Sequence, residues 1–128
     1  MRSNTWIVAA ALVALAACGG STGPDGGGVT GGGPAGHVVV GNIFFRSASN
    51  GSQNPAVDTI AAGSSVTWDW NAAGSHSIQS TGTPNIFRNS VVMSAANSSY
   101  TVTFQNPGTY TYQCGVHGSL MTGRIVVQ

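Results

Sequence analysis

Tyr100-Thr101-Val102-Thr103-Phe104-Gln105-Asn106-Pro107-Gly108-Thr109-Tyr110-Thr111-Tyr112-Gln113-Cys114 alternates twice, with a turn at Pro107-Gly108 between the two runs. Successive side chains of a strand point to opposite faces, so Tyr110, Tyr112 and Cys114 share one face of the second run. The same signature recurs upstream. Val66-Thr67-Trp68-Asp69-Trp70 places Val66, Trp68 and Trp70 together, and 38–45 and 57–60 are further β-rich runs. His76-Ser77-Ile78 follows a turn at Ala73-Gly74, and 123–128 ends the chain with Ile125, Val126 and Val127. Gly, Pro, Asn and Ser separate these runs, and none carries a sustained helical period. The least readable section, 81–99, is expected to hold loops or one short helical turn. Strands that bury one face in this way predict an all-β fold, an antiparallel β-sandwich over 37–128.

Working outward from Cys114, the chain continues Gly115-Val116-His117-Gly118-Ser119-Leu120-Met121-Thr122-Gly123. A thiol, an imidazole and a thioether therefore fall within eight residues, at the end of one strand and in the loop after it. Thiolate and thioether select soft metals, imidazole suits copper, and two His, one Cys and a weak axial Met make a blue-copper set. The second imidazole comes from His76. Singly, each of these residues has an ordinary structural explanation: a surface His, a buried inert thiol, a core Met. Together, on a β pattern, they point to a metal. A nucleophilic Cys-His pair would need an oriented base and an oxyanion hole that nothing here supplies. Structural zinc prefers four strong ligands and would gain little from Met. His37, at the edge of the folded part, has no partner visible in the sequence and reads as a structural or surface residue.

The stretch 38–128 resembles the cupredoxins, the plastocyanin- and azurin-like type 1 blue copper proteins. The resemblance is carried by Val66-Thr67-Trp68, Gly74-Ser75-His76-Ser77-Ile78, Pro107 to Cys114, then His117, Met121, Gly123 and the closing Ile125-Val126-Val127. It implies a Greek-key sandwich with one copper ion, His76, Cys114 and His117 as strong ligands and Met121 as the distant axial one. Two departures stand out. The Cys-x2-His-x3-Met spacing lies between the shorter and longer loops of the family, though Met121 still precedes a Gly by two positions. Ser77 also stands where the family often has an Asn bridging the two ligand loops. The bridge is therefore expected to be shorter, water-mediated or absent, and such outer contacts tune a metal.

Composition narrows the partners. Charged residues make up 5% of the 128, with no Lys and no Glu: four Arg (Arg2, Arg46, Arg88, Arg124) face three Asp (Asp25, Asp58, Asp69). No basic cluster exists to neutralise phosphates, which excludes nucleic acid. Low charge also removes long-range steering. Any protein partner must therefore be met through apolar and polar surface, and the family resemblance makes Val116, Gly118 and Leu120 around His117 the expected docking patch.

The first residues read as an address. Met1-Arg2 precedes an apolar run over 6–17, too short to span a bilayer but suited to a secretory signal. The run ends in Leu15-Ala16-Ala17-Cys18, which resembles a bacterial lipobox. That likeness makes 1–17 a lipoprotein signal peptide and Cys18 the lipidated first residue, anchored by its acyl chains. A Cys18–Cys114 disulfide is arithmetically open, but each cysteine has a use of its own. The Gly-rich stretch 18–36 cannot bury enough apolar area to offset its ordering entropy and is expected to be a flexible tether. The expected protein is an extracytoplasmic, membrane-anchored, monomeric one-electron carrier between redox proteins, not an enzyme. The alternative from another class is a copper-binding module for storage or delivery without redox turnover.

Overall fold

The computed structural model of the protein describes residues 32–128. The expected signal peptide, Cys18 and most of the tether lie outside the described residues. Eight strands follow one another: β1 (His37–Gly41), β2 (Phe44–Ser47), β3 (Ala56–Ile60), β4 (Ser65–Trp70), β5 (Ile78–Ser80), β6 (Ser99–Thr103), β7 (Gly108–Cys114) and β8 (Gly118–Val127). They form two four-stranded sheets, ordered β2-β1-β4-β6 and β3-β8-β7-β5. No helix occurs among the described residues. The all-β sandwich expected from the alternation is what the chain forms.

The alternating residues meet between the sheets. Val66, Trp68 and Trp70 of β4, Tyr110, Tyr112 and Cys114 of β7, and Met121, Ile125 and Val127 of β8 are all buried. Trp68 is the centre of an aromatic cluster. Phe87 stacks on it at 5.7 Å and Tyr112 meets it edge-on at 5.3 Å. Phe45 meets Tyr112 edge-on at 5.1 Å. Such offset and edge-to-face pairs add to the burial of their large apolar surface.

Strand direction is richer than alternation can report. The pairs β1–β2, β4–β6, β5–β7 and β7–β8 are antiparallel, whereas β1–β4 and β3–β8 are parallel. The chain leaves the first sheet after β2, enters the second as β3 and returns as β4, so β4 arrives beside β1 running the same way. Parallel neighbours need such crossovers, and side-chain periodicity carries no information about them.

Two local features differ from the sequence reading. The run 38–45 is a hairpin: Gly41 pairs with Phe44, and Ile43 takes a positive φ of 57° in the turn. That conformation belongs by preference to Gly or Asn, so an Ile there hides the turn. Gly33 and Gly36, inside the stretch read as tether, already bond to the domain. The Gly33 N–H donates to Ala48 O at 3.0 Å, and the Thr67 N–H donates to Gly36 O at 2.8 Å. The section after β5 is built of loops, as expected; it lies across the side of the sandwich and carries Phe87 inward.

Candidate metal centre

Three elements converge at one end of the sandwich. Cys114 is the last residue of β7 and continues its inward-facing series. A bulge at Gln113/Cys114 pairs Cys114 with Gly118, closing a tight loop that carries His117. Gly118 holds that loop at a positive φ of 58°, a conformation glycine takes without strain. The Leu120 N–H donates to His117 O at 3.4 Å across the loop's base. From there β8 runs inward and buries Met121 completely.

His76 enters from the other side. β5 pairs with β7 so that Ile78 lies opposite Cys114, which sets His76, two residues earlier, beside the loop. Its backbone is clamped to Met93: His76 N–H to Met93 O at 3.0 Å, Met93 N–H to His76 O at 2.9 Å. Met93 carried no sequence signal for this role, because the clamp uses only its backbone. Gly74, read as a turn residue, has a second part: a Cβ there would sit 2.9 Å from His76 Nε2. The loops carrying His76 and His117 also touch directly. The Gly115 N–H donates to Ser77 O at 3.4 Å, and a Cβ on Gly115 would fall 2.5 Å from Ser77 Oγ. A bridge thus exists, made by backbone and by close packing.

The side chains face one another. Cys114 Sγ lies 3.8 Å from His76 Nδ1 and 3.4 Å from His117 Nδ1. One ligand atom from each of the three residues falls within a 4.8 Å span. Two donors bound at ~2.0–2.3 Å to one tetrahedral ion would stand ~3.3–3.8 Å apart, so this spacing suits a single metal. His76 and Cys114 are buried, while His117 is half-buried. Burial, and then the nearby His117, hold the His76 imidazole below its ordinary pKa. It is therefore kept neutral, the form that can ligate a metal. Cys114 is a free thiol, and the His76 Nε2 has no hydrogen-bond partner.

The structure thus brings three of the residues singled out from sequence into one cluster and buries Met121 on the inward face of the neighbouring strand. Val116 and Leu120, 48% and 69% exposed, flank His117 at the surface, and Gly118 is partly covered. His37 stands apart: its Nδ1 lies 3.2 Å from Asp69 Oδ2, a surface pair formed across two strands.

Comparison with known proteins agrees with this chemistry. Residues 52–128 match the family described as copper binding proteins, plastocyanin/azurin family. Among curated proteins, the chain is similar to amicyanin-alpha of Methylorubrum extorquens, 38% identical over 77 residues. The match covers 59% of this chain and 63% of that protein. It is also similar to chloroplastic plastocyanin of Tetradesmus obliquus, 37% identical over 82 residues, covering 58% of this chain and 57% of that protein. The chain thus spans less than two thirds of the length of these relatives. Among solved structures, a purple cupredoxin from Nitrosopumilus maritimus superposes with a TM-score of 0.57 at 23% identity, over 72% of this chain and 98% of that one. An oxidised amicyanin variant gives 0.58 at 22%, over 73% and 82%. These likenesses speak for the fold. With the family match running from Ser52 through His76 and the Cys114–Met121 loop to Gln128, this chain belongs to the plastocyanin/azurin family of copper-binding proteins, and its cofactor is one copper ion.

Proposed function

We propose that His76, Cys114, His117 and Met121 hold the copper as a type 1 centre, and that the protein carries single electrons between redox proteins at a membrane surface. The observation that carries this reading is the buried Cys114 thiol facing two imidazole Nδ1 atoms at 3.8 and 3.4 Å. Bound there, copper supplies one-electron chemistry by moving between Cu(I) and Cu(II). The protein's part is to hold its donors still. His76 is fixed by the Met93 clamp, Cys114 by the end of β7, and Met121 by burial in β8. Rigid donors acceptable to both oxidation states keep rearrangement small during transfer.

His117 is the ligand nearest solvent, and the exposed Val116 and Leu120 beside it offer an apolar contact for a partner. Small, transient contacts of this kind suit electron transfer. The membrane location rests on the lipobox-like Leu15-Ala16-Ala17-Cys18 and the Gly-rich stretch after it, which would leave the domain extracytoplasmic and tethered through Cys18.

Titration of the copper-free full chain with Cu(II) tests the site. An intense blue colour is expected in the wild type and its loss in Cys114→Ser; colour that persists in the variant rejects the assignment. Voltammetry of the same sample tests the carrier role. A fast, reversible one-electron wave is expected, and a sluggish, irreversible response would instead favour a store of copper.

A further inference from the structure

A sandwich of two open sheets has four edges, and in this molecule they are treated unequally. The β2 edge is sealed by the segment that follows it. Ser47 N–H donates to Ser52 O at 2.9 Å, and Phe45 N–H donates to Asn54 Oδ1 at 3.1 Å. The β3 edge is held at Val57, whose N–H donates to Ser52 Oγ and whose C=O accepts from Asn50 Nδ2, both at 2.8 Å. The β5 edge is sealed by Ser90 and Asn89, which bond Ile78 and Ser80 at 2.8–2.9 Å.

β6 has no such cover. Ser98 O and Phe104 N–H, on either side of the strand, bond toward β4 and the turn before it. Alternation along the strand therefore turns Tyr100 and Val102 toward β4, and Ser99, Thr101 and Thr103 outward. Among the described residues, no hydrogen bond caps an outward backbone group of these three. Natural edges are usually blunted by Lys, Pro or a covering segment; β6 has no Lys or Pro, and the segment beside it bonds only the Tyr100 hydroxyl, through Arg88 O. Its flanks carry exposed apolar side chains beside Arg88, which lines both clefts. Ile86, 69% exposed, shares a cleft with Val102 and Thr103, and Val91, 75% exposed, shares one with Tyr100.

We propose that the β6 edge pairs with β6 of a second copy of this chain, antiparallel about Thr101, joining the two β2-β1-β4-β6 sheets into one. The strand's own sequence argues for this occupant. A register centred on Thr101 sets Thr101 opposite the second copy's Thr101, Ser99 opposite its Thr103, and Tyr100 opposite its Val102. Hydroxyl–hydroxyl and aromatic–β-branched pairs are the favourable cross-strand combinations. The same face already uses the first kind, Ser65 with Thr103 at 2.8 Å and Thr67 with Thr101 at 2.9 Å. In this register the outward N–H and C=O groups of the three residues all find partners. The contact is isologous, so it closes at a dimer. No charge lies on the strand, and Arg88, whose guanidinium sits 5.8 Å over the Tyr100 ring, falls on opposite sides of the axis in the two copies. This edge therefore makes a dimer of a chain whose sequence alone reads as a monomer.

Sedimentation of the full chain over a concentration series tests the pairing, independently of copper. The wild type is expected to move from monomer to dimer. Thr101→Lys and Thr101→Glu each set like charges opposite one another and should raise the dissociation constant at least tenfold. An equimolar mixture of the two should restore the dimer, and Thr101→Ser should behave as wild type. Circular dichroism checks that each variant is folded; Thr101 is exposed, so all should be. A wild type that stays monomeric overturns the proposal, as does a dimer that Thr101→Lys leaves intact or that Leu120→Asp alone dissolves. A monomer whose Thr101→Lys change abolishes binding of a different protein would give the edge to that protein, and would equally overturn it.

Discussion

Asp58 is a fully buried carboxyl in a sandwich with hardly any charge. Its Oδ1 accepts from Ser47 Oγ at 3.0 Å and Ser49 Oγ at 3.2 Å, while Oδ2 has no partner. Burial raises its pKa above the ordinary carboxylate value, outweighing the two serine hydroxyls, the Gly36 backbone and the nearby His37. The folded state therefore binds this proton more tightly than the unfolded chain does. The stabilisation Asp58 contributes is full below the ordinary carboxylate pKa and is lost as pH rises through the raised value. Asp58→Asn should remove that dependence. In denaturant unfolding of the copper-free protein, stability of the wild type relative to the variant should rise as pH falls from 7 toward 4. The depressed His76 imidazole destabilises both proteins alike as pH falls, so it cancels in the difference. Equal pH slopes for the two proteins would refute the assignment. None of this was legible beforehand: alternation places Asp58 inside, but its serine partners come from a different strand and the loop after it. The proposed copper ligands differ because their spacing is local. Cys114, His117 and Met121 lie within eight residues, so the chemistry of the set showed before any fold was known. His76 needed its neighbours Gly74 and Ile78 to be recognised.

At the scale of elements, β4 and β7 were readable because each has one buried and one more exposed face, the condition under which side-chain period reports structure. The segment between β5 and β6 was not, because tertiary contacts shape it. Phe87 stacks on Trp68 and meets Phe104 edge-on at 5.4 Å. Ser90 and Asn89 cap β5, and Tyr100 donates its hydroxyl to Arg88 O. One side chain therefore anchors a segment that also carries Met93, the clamp on His76. Phe87→Ala removes that anchor and leaves a gap beside Trp68. The expected cost is about 3 kcal/mol, at the lower end of the range for large aromatic truncations because Phe87 is only partly buried. Copper affinity should fall along with stability, since a looser segment holds Met93 and hence His76 less firmly. Chemical denaturation and competitive copper chelation measure the two effects. Lost stability with unchanged affinity would show that the segment does not reach the site.

At the scale of the whole molecule, the distribution of charge decides how a partner is met. Among the described residues the Arg and Asp side chains are Arg46, Arg88, Arg124, Asp58 and Asp69; Asp58 is buried, and Asp69 already faces His37 across the strands. The loops at the metal end, 71–77, 91–98 and 115–120, contain no charged residue, and Val91, Val92, Val116 and Leu120 are exposed there. Proteins steered by charge associate rapidly at low salt and lose that advantage steeply as salt screens it. A neutral end has no such advantage to lose. If the protein carries electrons as proposed, its rate of exchange with a redox partner should therefore change by less than about threefold between low and physiological ionic strength. Leu120→Asp, by contrast, places a charge inside the apolar contact and should slow the exchange at every salt concentration, with the copper site left intact. Stopped-flow mixing with the partner reads both effects. A tenfold fall with salt in the wild type would mean that docking uses charged surface away from the metal end, with Arg88 and Arg124 the first candidates.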